Sequence, residues 1–537
     1  MKGRWRAYYT IVLIALLYPG FVSAQSKFRV YFKDKQTEFN PYTYFDTKAI
    51  DRRIKSGLSL HDSTDFPVNQ SYVDKVSALA DSTRPASRWL NCMSVFTDAK
   101  RADDIAKLPF VKLVQPILPD YPQPLASYDF DTTLKVNNLK LIDIQLDMLD
   151  GDKFKKEGID GKGVRIAILD AGFPTVDKNP AFKHIRDDKR IIATYDFCKG
   201  RENVYSFNTH GTMVMACIGG KVNGKNIGLA TGADFLLART ESPGYEIYSE
   251  EEYWLAAAEW ADKNGADIIN SSLGYTNDLY FKHQMDGHHS IIAKAATMAV
   301  KKGILVVNAA GNEGDGGWKI VASPADADSV LTVGGVDPYK QYHSSFSSYG
   351  PNRAMKLKPN VSAAGTVATM GTRSITEVSG TSFASPLTAG FAACAWQMNR
   401  DWKNTDLFDK IQQSGSLYPY FDYAHGYGIP QAMFFTDTKK TVGPTFTVSL
   451  PIPASDSTEA NWGMNVKIDS LEFNKDWPLR DRLLFYHIQN TDGVLDRYYV
   501  VEVNELSPLN ISSSNLNKGE ILRIHYRGYT FEYRKPD

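Results

Sequence analysis

Three side chains in separate parts of this 537-residue chain could together carry out nucleophilic catalysis. Ser382 stands in "EVSGTSFASPLTAG", His210 in "NTHGTMVMACIGG" and Asp170 in "ILDAGF". A serine hydroxyl is a poor nucleophile until an imidazole takes its proton. A carboxylate must also hold that imidazole in the right tautomer and stabilise its charged form. The three residue types therefore predict acyl transfer, provided that the fold brings them together.

Each of these residues taken alone also has a structural explanation. Serine and threonine are common where helices begin, and most single histidines and strand-end aspartates are structural. Two neighbours of Ser382 favour chemistry, because Pro386 is tolerated only near the start of a helix and Gly380 permits close approach of another chain. Ser382 is thus predicted to lie at the positive end of a helix, where an oxyanion is stabilised.

The middle of the chain reads as alternating strands and helices. "GVRIAILDAGF" is a nearly continuous β-branched run, typical of a strand buried on both faces of a parallel sheet. "SEEEYWLAAAEWADKNG" predicts a helix that opens with a capping box of Ser249 and Glu252 and closes at Gly265. Repeated βαβ units predict an α/β fold with a doubly wound, mostly parallel sheet.

In such sheets the ligand site lies beyond the carboxyl ends of the strands. That rule selects Asp170, Ser272 and Asn312, each at or just past the end of a predicted strand. The elements and the chemistry therefore indicate the same edge of the sheet.

The segments on both sides of this region differ from it. Basic residues, an apolar stretch at 11–17 and "VSA" at 22–24 predict a signal peptide over residues 1–24, so that the chain is exported to the periplasm or the extracellular space. The apolar stretch is well short of the ~20 residues that a membrane span needs, so no span is expected in the mature form. Residues 25–125 predict a small α+β domain resembling a split βαβ, which ends in a proline-rich linker over residues 116–131. Residues 126–438 form the predicted catalytic domain and residues 439–537 a predicted β-sandwich.

Composition excludes several other classes of protein. Acidic and basic residues number 61 each, so the chain carries no excess of positive charge that would attract nucleic acids. The four cysteines are too few and too scattered for a disulfide framework or a CxxC metal site.

The motifs around the three candidate residues closely resemble those of subtilisin-like serine proteases, the subtilase or S8 family. The family surrounds its acid with Asp-(Ser/Thr)-Gly, its base with His-Gly-Thr and its nucleophile with Gly-Thr-Ser-x-Ala-Ser-Pro. The order Asp, His, Ser is also the same. Further matches lie between these motifs and extend over residues 161–432: "ADIINSSLG", "VVNAAGNEG", "SPADADSVLTVGGVD" and "GYGIPQA".

Carried over residue by residue, the resemblance implies that Ser382 is the nucleophile, His210 the general base and acid, and Asp170 the orienting carboxylate. It also implies that Asn312 is the side-chain donor of the oxyanion hole. Six further residues would bind an extended substrate: Ser272, Leu273 and Gly274 would pair with its backbone by strand addition, and Ala309, Ala310 and Gly311 would form the opposite wall of the first specificity pocket.

The chain departs from the family pattern at a few positions. Ala171 replaces the usual serine or threonine after the acid, Met213 replaces a common histidine, and Asn360 stands where the family has aspartate. None of these is a member of the triad, so we expect altered activity rather than its loss. The resemblance implies no required cofactor or catalytic metal; it allows for structural calcium, whose ligands the sequence does not identify. "DGHH" at residues 286–289 is interpreted as a solvated helix start rather than a metal site.

The resemblance also implies that residues 25–125 are an inhibitory propeptide and that the chain is a self-processing zymogen acting on protein or peptide substrates. Two other readings compete with it. An α/β-hydrolase would need G-x-S-x-G with the acid and the base downstream of the serine, whereas here Ala384 stands at the fifth position and both partners lie upstream. The second alternative is a pseudoprotease whose β-domain or peptide groove only binds a partner. Such a protein would not require the intact Asp, His, Ser and Asn.

Overall fold

The computed structural model describes residues 26–117, 123–124, 138–242, 245–277, 279–437, 443–449, 463–512 and 516–536. The predicted signal peptide, residues 1–24, and most of the predicted linker lie outside these ranges. The chain divides into two compact units. The first comprises Met1–Glu38 and Thr64–Asp120, and the second comprises Phe39–Ser63 and Tyr121–Asp537.

The first unit is the small α+β domain that the sequence predicts. Its antiparallel sheet has the order β2-β3-β1-β4, which is the order of a split βαβ fold. Phe32, Val76, Val95 and Ile105 form part of its core. The elements are β1 (Ser26–Phe32), α3 (Gln70–Ser77), β2 (Ser82–Thr83), β3 (Cys92–Thr97), α4 (Ala99–Ala106) and β4 (Val111–Ile117).

The second unit contains a parallel seven-stranded sheet of order β15-β14-β13-β12-β6-β10-β7, which confirms the predicted α/β class. The chain enters this sheet at β6, continues to β7 and then to β10, which lies between them, and crosses to β12 on the other side of β6. The switch point therefore lies between the carboxyl ends of β6 and β12, where a ligand crevice is expected. The strands are β6 (Arg165–Asp170), β7 (Ile191–Asp196), β10 (Asp234–Arg239), β12 (Ile268–Ser271), β13 (Leu305–Ala309), β14 (Leu331–Val336) and β15 (Val361–Ala364).

Two helix pairs accompany this sheet. Helix α8 (His210–Gly219) packs against α11 (Thr381–Met398), and α9 (Tyr248–Lys263) packs against α10 (Ile291–Lys301). Gly390 permits the first contact, since a Cβ on it would lie 2.9 Å from the carbonyl oxygen of Ile218.

The second unit also contains short helices and two-stranded sheets. The helices are α1 (Pro41–Tyr44), α2 (Thr47–Ser56), α5 (Asn138–Asp147), α6 (Gly151–Lys156), α7 (Lys183–Asp187), α12 (Asn404–Gln413) and α13 (Met433–Thr436). The paired strands are β5 (Gln123–Pro124) with β11 (Tyr245–Glu246), β8 (Lys221–Val222) with β9 (Lys225–Asn226), and β16 (Thr366–Met370) with β17 (Ile375–Ser379).

The C-terminal region has two antiparallel sheets that share one hydrophobic core, which confirms the predicted β-sandwich. Met464 and Val466 of one sheet and Ile488 and Leu522 of the other are among the buried residues of this core. The first sheet has the order β18 (Phe446–Ser449), β19 (Gly463–Ile468), β22 (Leu509–Ser512). The second has the order β21 (Leu495–Glu502), β20 (Leu483–Gln489), β23 (Ile521–Tyr526), β24 (Tyr529–Arg534).

Two details differ from the sequence-based expectations. The capping box of Ser249 and Glu252 was wrong: α9 begins at Tyr248, and the extended backbone of β11 continues to Ile247, so Ser249 already lies inside the first turn. The sequence analysis also missed α1 and α2. None of the described helices is both long and apolar enough to cross a membrane.

Candidate active site

Asp170 and His210 meet at the carboxyl end of β6. Asp170 is the last residue of that strand and is fully buried, and its Oδ1 lies 2.8 Å from Nδ1 of His210. His210 is the first residue of α8 and is 5% exposed. The backbone N–H of Ala171 also donates to Asp170 Oδ1, at 2.8 Å. One carboxylate oxygen therefore fixes both the following peptide and the imidazole.

Gly211 explains how a helix can begin so close to the end of a strand. A Cβ at this position would lie 2.4 Å from the carbonyl oxygen of Gly172 and 3.1 Å from Cβ of Asp170. Any side chain here would push α8 away from β6 and would lengthen the bond between Asp170 and His210. The glycine of the His-Gly motif is therefore a packing requirement of the site.

The surroundings of His210 shift its pKa in opposite directions. Burial lowers the pKa because the charged imidazolium loses water, whereas the charge of Asp170, its hydrogen bond and the more distant Glu241 raise it. The net pKa lies above the ordinary value of 6.5. The carboxylate therefore favours the protonated imidazole.

Ser382 is the second residue of α11, at the helix end that carries the positive dipole. Its hydroxyl donates to the carbonyl oxygen of Ser272 at 3.0 Å, and the side chain is nearly fully buried. The ring of the next residue, Phe383, lies 5.5 Å from the ring of His210 between centroids. The start of α11 thus adjoins both the histidine and the end of β12.

Asn312 follows β13 and contacts the residue before Ser382. Its Oδ1 accepts hydrogen bonds from the backbone N–H of Thr381 at 2.9 Å and from the Thr381 hydroxyl at 3.0 Å. The Nδ2 end lies 3.6 Å from the position of a Cβ on Gly380, whose φ of 144° suits glycine. These bonds orient the amide so that its nitrogen is directed away from Thr381.

The six residues predicted to line a groove form two neighbouring segments. Asn308 ties them together, because its Nδ2 donates to the carbonyl oxygens of Leu273 at 2.9 Å and Ala309 at 2.8 Å. Between the two segments lies Ala322: its Cβ is 2.7 Å from the position of a Cβ on Gly274 and 3.3 Å from that of one on Gly311. Only small residues fit on both walls at this point. The predicted residues here are Ser272, Leu273, Gly274, Ala309, Ala310 and Gly311.

Several residues of the site were missed by sequence reasoning. Thr381 and Asn308 lie inside the quoted motifs, yet their hydrogen bonds join distant segments that no local pattern reveals. Asn270 is similar: it accepts from the hydroxyl of Ser385 at 3.0 Å and donates to that of Ser272 at 3.1 Å. Ser385 therefore anchors this short chain of hydrogen bonds.

Within the described ranges, no three His, Cys, Asp or Glu side chains come close enough to hold a metal ion. The "DGHH" segment is a turn in which Asp286 Oδ1 accepts from the backbone N–H groups of His288 and His289, both at 2.9 Å. Structural calcium stays a prediction.

Comparison with family models identifies the family of two parts of the chain. The model of the subtilase family matches residues 161–428, and that of the Peptidase S8 propeptide domain, Bacteroidota, matches residues 27–125. The crystal structure of MycP1 from Mycobacterium smegmatis superposes with a TM-score of 0.46 at 21% identity, covering 61% of this chain and 92% of that one.

Curated relatives include Subtilisin DY of Bacillus licheniformis, 31% identical over 249 residues that make up 46% of this chain and 81% of the relative. The Thermostable alkaline protease of Halalkalibacterium halodurans is also 31% identical, over 48% of this chain and 64% of the relative. The family-model match and these curated relatives agree with two features of the structure. These features are the buried bond between Asp170 and His210 and the serine at the start of α11. The chain therefore belongs to the subtilase family of serine peptidases.

Proposed function

We propose that this protein is a serine endopeptidase in which Ser382, His210 and Asp170 act as nucleophile, base and orienting acid. The observation that carries the proposal is the buried 2.8 Å hydrogen bond between Asp170 and His210. The ring of His210 also lies beside Phe383, in the same helix turn as Ser382. A buried carboxylate on Nδ1 holds the proton there and leaves Nε2 as the basic nitrogen. That tautomer is the one that can accept the proton of a serine.

The attack itself requires a change of hydrogen bond at Ser382. The hydroxyl now donates to the Ser272 carbonyl, so it must turn to give its proton to Nε2 of His210 as its oxygen adds to the substrate carbonyl. His210 then passes that proton to the leaving amine, and the peptide remains as an ester on Ser382. Water, activated by the same histidine, hydrolyses the ester.

The charge that develops on the substrate oxygen has two donors nearby. The backbone N–H of Thr381 donates to Asn312 Oδ1, and that of Phe383 donates to the Gly380 carbonyl. The N–H of Ser382, between them, has no acceptor in the described part of the chain. This N–H and Nδ2 of Asn312 are the groups we assign to the oxyanion. Both are held before the substrate binds, which is the condition for effective electrostatic stabilisation.

The substrate would bind as an extended strand between the two segments that Asn308 joins. Backbone groups of Ser272, Leu273 and Gly274 would pair with the substrate on one side. Ala309, Ala310 and Gly311 would form the opposite wall of the first specificity pocket. Because Gly274, Gly311 and Ala322 are all small, a pocket between them is bounded by backbone and methyl groups.

A contact of the predicted linker supports self-processing. Residues Gln123 and Pro124 pair as an antiparallel strand with Tyr245 and Glu246, directly before α9. Gln123 and Pro124 of the predicted linker are thus held in an extended form, which is the conformation that a protease cleaves. We propose that the zymogen cuts itself between Pro124 and Asp131, with residues 25–125 as the inhibitor and residues 1–24 as the export signal.

Hydrolysis of casein by purified full-length protein tests the proposal. Ser382→Ala should abolish hydrolysis, and the chain should remain uncut. Ser379→Ala is the matched control, since Ser379 lies three residues earlier, is exposed and bonds to the Thr366 hydroxyl. Peptide binding without hydrolysis in the unchanged chain would support the pseudoprotease instead.

N-terminal sequencing of the mature protein tests the zymogen separately. The expected sequence starts between residues 125 and 131. A chain that still begins near Gln25, or a Ser382→Ala chain that matures normally in isolation, would contradict self-processing.

A further inference from the structure

One part of the propeptide region belongs to the unit that holds the catalytic residues. Residues 39–63, which we call the arm, lie inside the stretch that matches the propeptide family, residues 27–125. They nevertheless group with residues 121–537 rather than with the α+β sheet on either side of them in the chain. The arm contains α1 and α2.

Two adjacent arginines of α2 bind one buried carboxylate of α9. Arg52 and Arg53 each donate through Nη2 to Asp262, the first to Oδ1 and the second to Oδ2 at 2.7 Å. Asp262 and Arg53 are fully buried, and Arg52 is 5% exposed. Arg52 also donates to the backbone carbonyls of Lys302 and Ala266. Such charge-assisted bonds are strong when both partners are present, and removing one partner leaves a buried charge behind.

The surface around Asp262 is shaped to receive the arm. Gly265 and Gly303, which follow α9 and α10, both have positive φ. A Cβ on Gly265 would lie 2.8 Å from Cβ of Lys48, and one on Gly303 would lie 2.8 Å from Oγ of Ser56. Glycine at these two positions therefore leaves room for α2 to pass close to the ends of both helices.

Further contacts fix the first turn of α2 at the same place. The backbone N–H of Asp46 donates to the Lys263 carbonyl at 2.9 Å, and Nζ of Lys48 lies 2.9 Å from Asp267. An aromatic cluster supports the arginines, since the guanidinium of Arg53 lies 3.9 Å from the centre of the Phe45 ring. The arm thus presents a basic helix to two buried carboxylates, Asp262 and Asp267.

The arm and the linker strand attach to opposite ends of α9. Asp262 is close to its C-terminus, whereas β11, which pairs with Gln123 and Pro124, directly precedes its N-terminus. A helix of 16 residues is about 24 Å long, so the two attachments are well separated. When two linked contacts hold one fragment, loss of either leaves the other to recapture it.

We propose that the arm is an anchor that keeps the cleaved propeptide bound to the mature enzyme through Arg52, Arg53 and Asp262. The proposal rests on the proposed function insofar as the propeptide is released by cleavage after Pro124. It goes beyond it because it assigns to the ends of α9 and α10 a docking surface for a basic helix, separate from the peptide groove. Release of the fragment, and with it full activity, is then governed by the arm as well as by the groove.

The test uses the full-length Ser382→Ala chain with a recognition site for an added, sequence-specific protease placed between residues 125 and 131. After the cut, gel filtration and a dissociation-rate measurement show whether the N-terminal fragment stays bound. The double variant Arg52→Gln/Arg53→Gln and, on the other side of the contact, Asp262→Asn should each speed dissociation by on the order of 10²-fold. Asp51→Asn is the control on the exposed side of α2 and should change nothing.

Equal dissociation rates for the unchanged and the double-variant fragments would overturn the proposal, as would immediate loss of the unchanged fragment. If the double variant does not fold, as judged by its melting temperature before the cut, Asp262→Asn and the gentler Arg52→Lys/Arg53→Lys decide. The latter keeps both charges but loses the planar fork, and about tenfold faster dissociation is expected. Because an added protease makes the cut, a failure of self-processing would refute the proposed self-cleavage without changing this result.

Discussion

Nδ1 of His210 and Oδ1 of Asp170 lie 2.8 Å apart in a site that water hardly reaches, although the residues are 40 positions apart in the chain. Burial alone would disfavour the imidazolium, and the carboxylate more than reverses this effect. The pair therefore sets the protonation state of the proposed base, and the first prediction concerns pH.

Activity should depend on the neutral form of His210, which is the form that accepts a proton. Since its pKa is raised above 6.5, kcat/KM should fall as the pH drops through an apparent pKa above that value. Asp170→Asn removes the main cause of the raised pKa, so the acid limb should move to lower pH while kcat drops on the order of 10⁴-fold. A pH–rate profile measures both, and an unchanged limb in the Asn variant would contradict the assignment.

Thr381 should act as a positioning residue for Asn312. Asn312→Ala is expected to lower kcat by about 10²–10³-fold with little change in KM, because the lost amide would act mainly in the transition state. Thr381→Val keeps the shape but removes the hydroxyl that bonds to Asn312 Oδ1 and accepts from the Gly311 N–H. We expect about a tenfold loss of kcat.

Thr381→Ser is the matched control because it retains that hydroxyl, and its kcat should stay near that of the unchanged enzyme. If the valine variant were as active as the serine variant, the orientation of Asn312 would not depend on this bond.

Ala322 should determine which side chain is accepted before the cut bond. Its methyl group faces both Gly274 and Gly311, so a larger side chain would fill the space between the two walls. Ala322→Leu should lower kcat/KM for peptides with phenylalanine at this position at least tenfold more than for peptides with alanine. Parallel kinetics on the two peptides measure this ratio. An unchanged ratio would place the pocket elsewhere.

The sequence analysis could assign the candidate residues to their elements because the main features of the candidate site are local. A strand end, a glycine after the histidine and a helix start after Gly380 each depend on a few consecutive residues, so Asp170, His210 and Ser382 could be placed on their elements in advance. The parallel sheet followed from the buried β-branched runs in the same way.

What it missed depends on contacts between distant segments. Thr381, Asn308 and Asn270 look like ordinary polar residues until the fold joins them to Asn312, Leu273 and Ser272. The arm was missed for the same reason. Two arginines on a short helix usually indicate a solvated face, and only the position of Asp262 makes them a buried contact.

Acid should destabilise the protein through three buried histidines between the α/β region and the β-sandwich. Burial lowers the pKa of His343 to about 3 and those of His487 and His525 to about 4. The unfolded chain takes up protons near 6.5, so below that pH it binds more protons than the folded chain. The free energy of unfolding should then fall by ~1.4 kcal/mol per pH unit for each histidine, until its folded pKa is reached.

Asp422 acts in the same direction at lower pH. It contacts His425, and its pKa is lowered to about 2 despite burial, so its contribution to stability is lost as the pH falls below 3.8.

Denaturant melts of the Ser382→Ala chain between pH 7 and 4.5 measure how steeply the free energy of unfolding falls with pH because of the three histidines. His487→Phe should reduce this slope by ~1.4 kcal/mol per pH unit, and a slope that does not change would contradict the account.

The central claim is that Ser382 is a nucleophile activated by His210, and covalent labelling tests it most directly. Mature protein is treated with a fluorophosphonate, and the modified peptide is identified by mass spectrometry. The account predicts one label on Ser382, no label in Ser382→Ala, and labelling of His210→Ala slowed by several orders of magnitude. Absence of the label in the unchanged enzyme, or equal labelling of the Ser382→Ala chain, would contradict it.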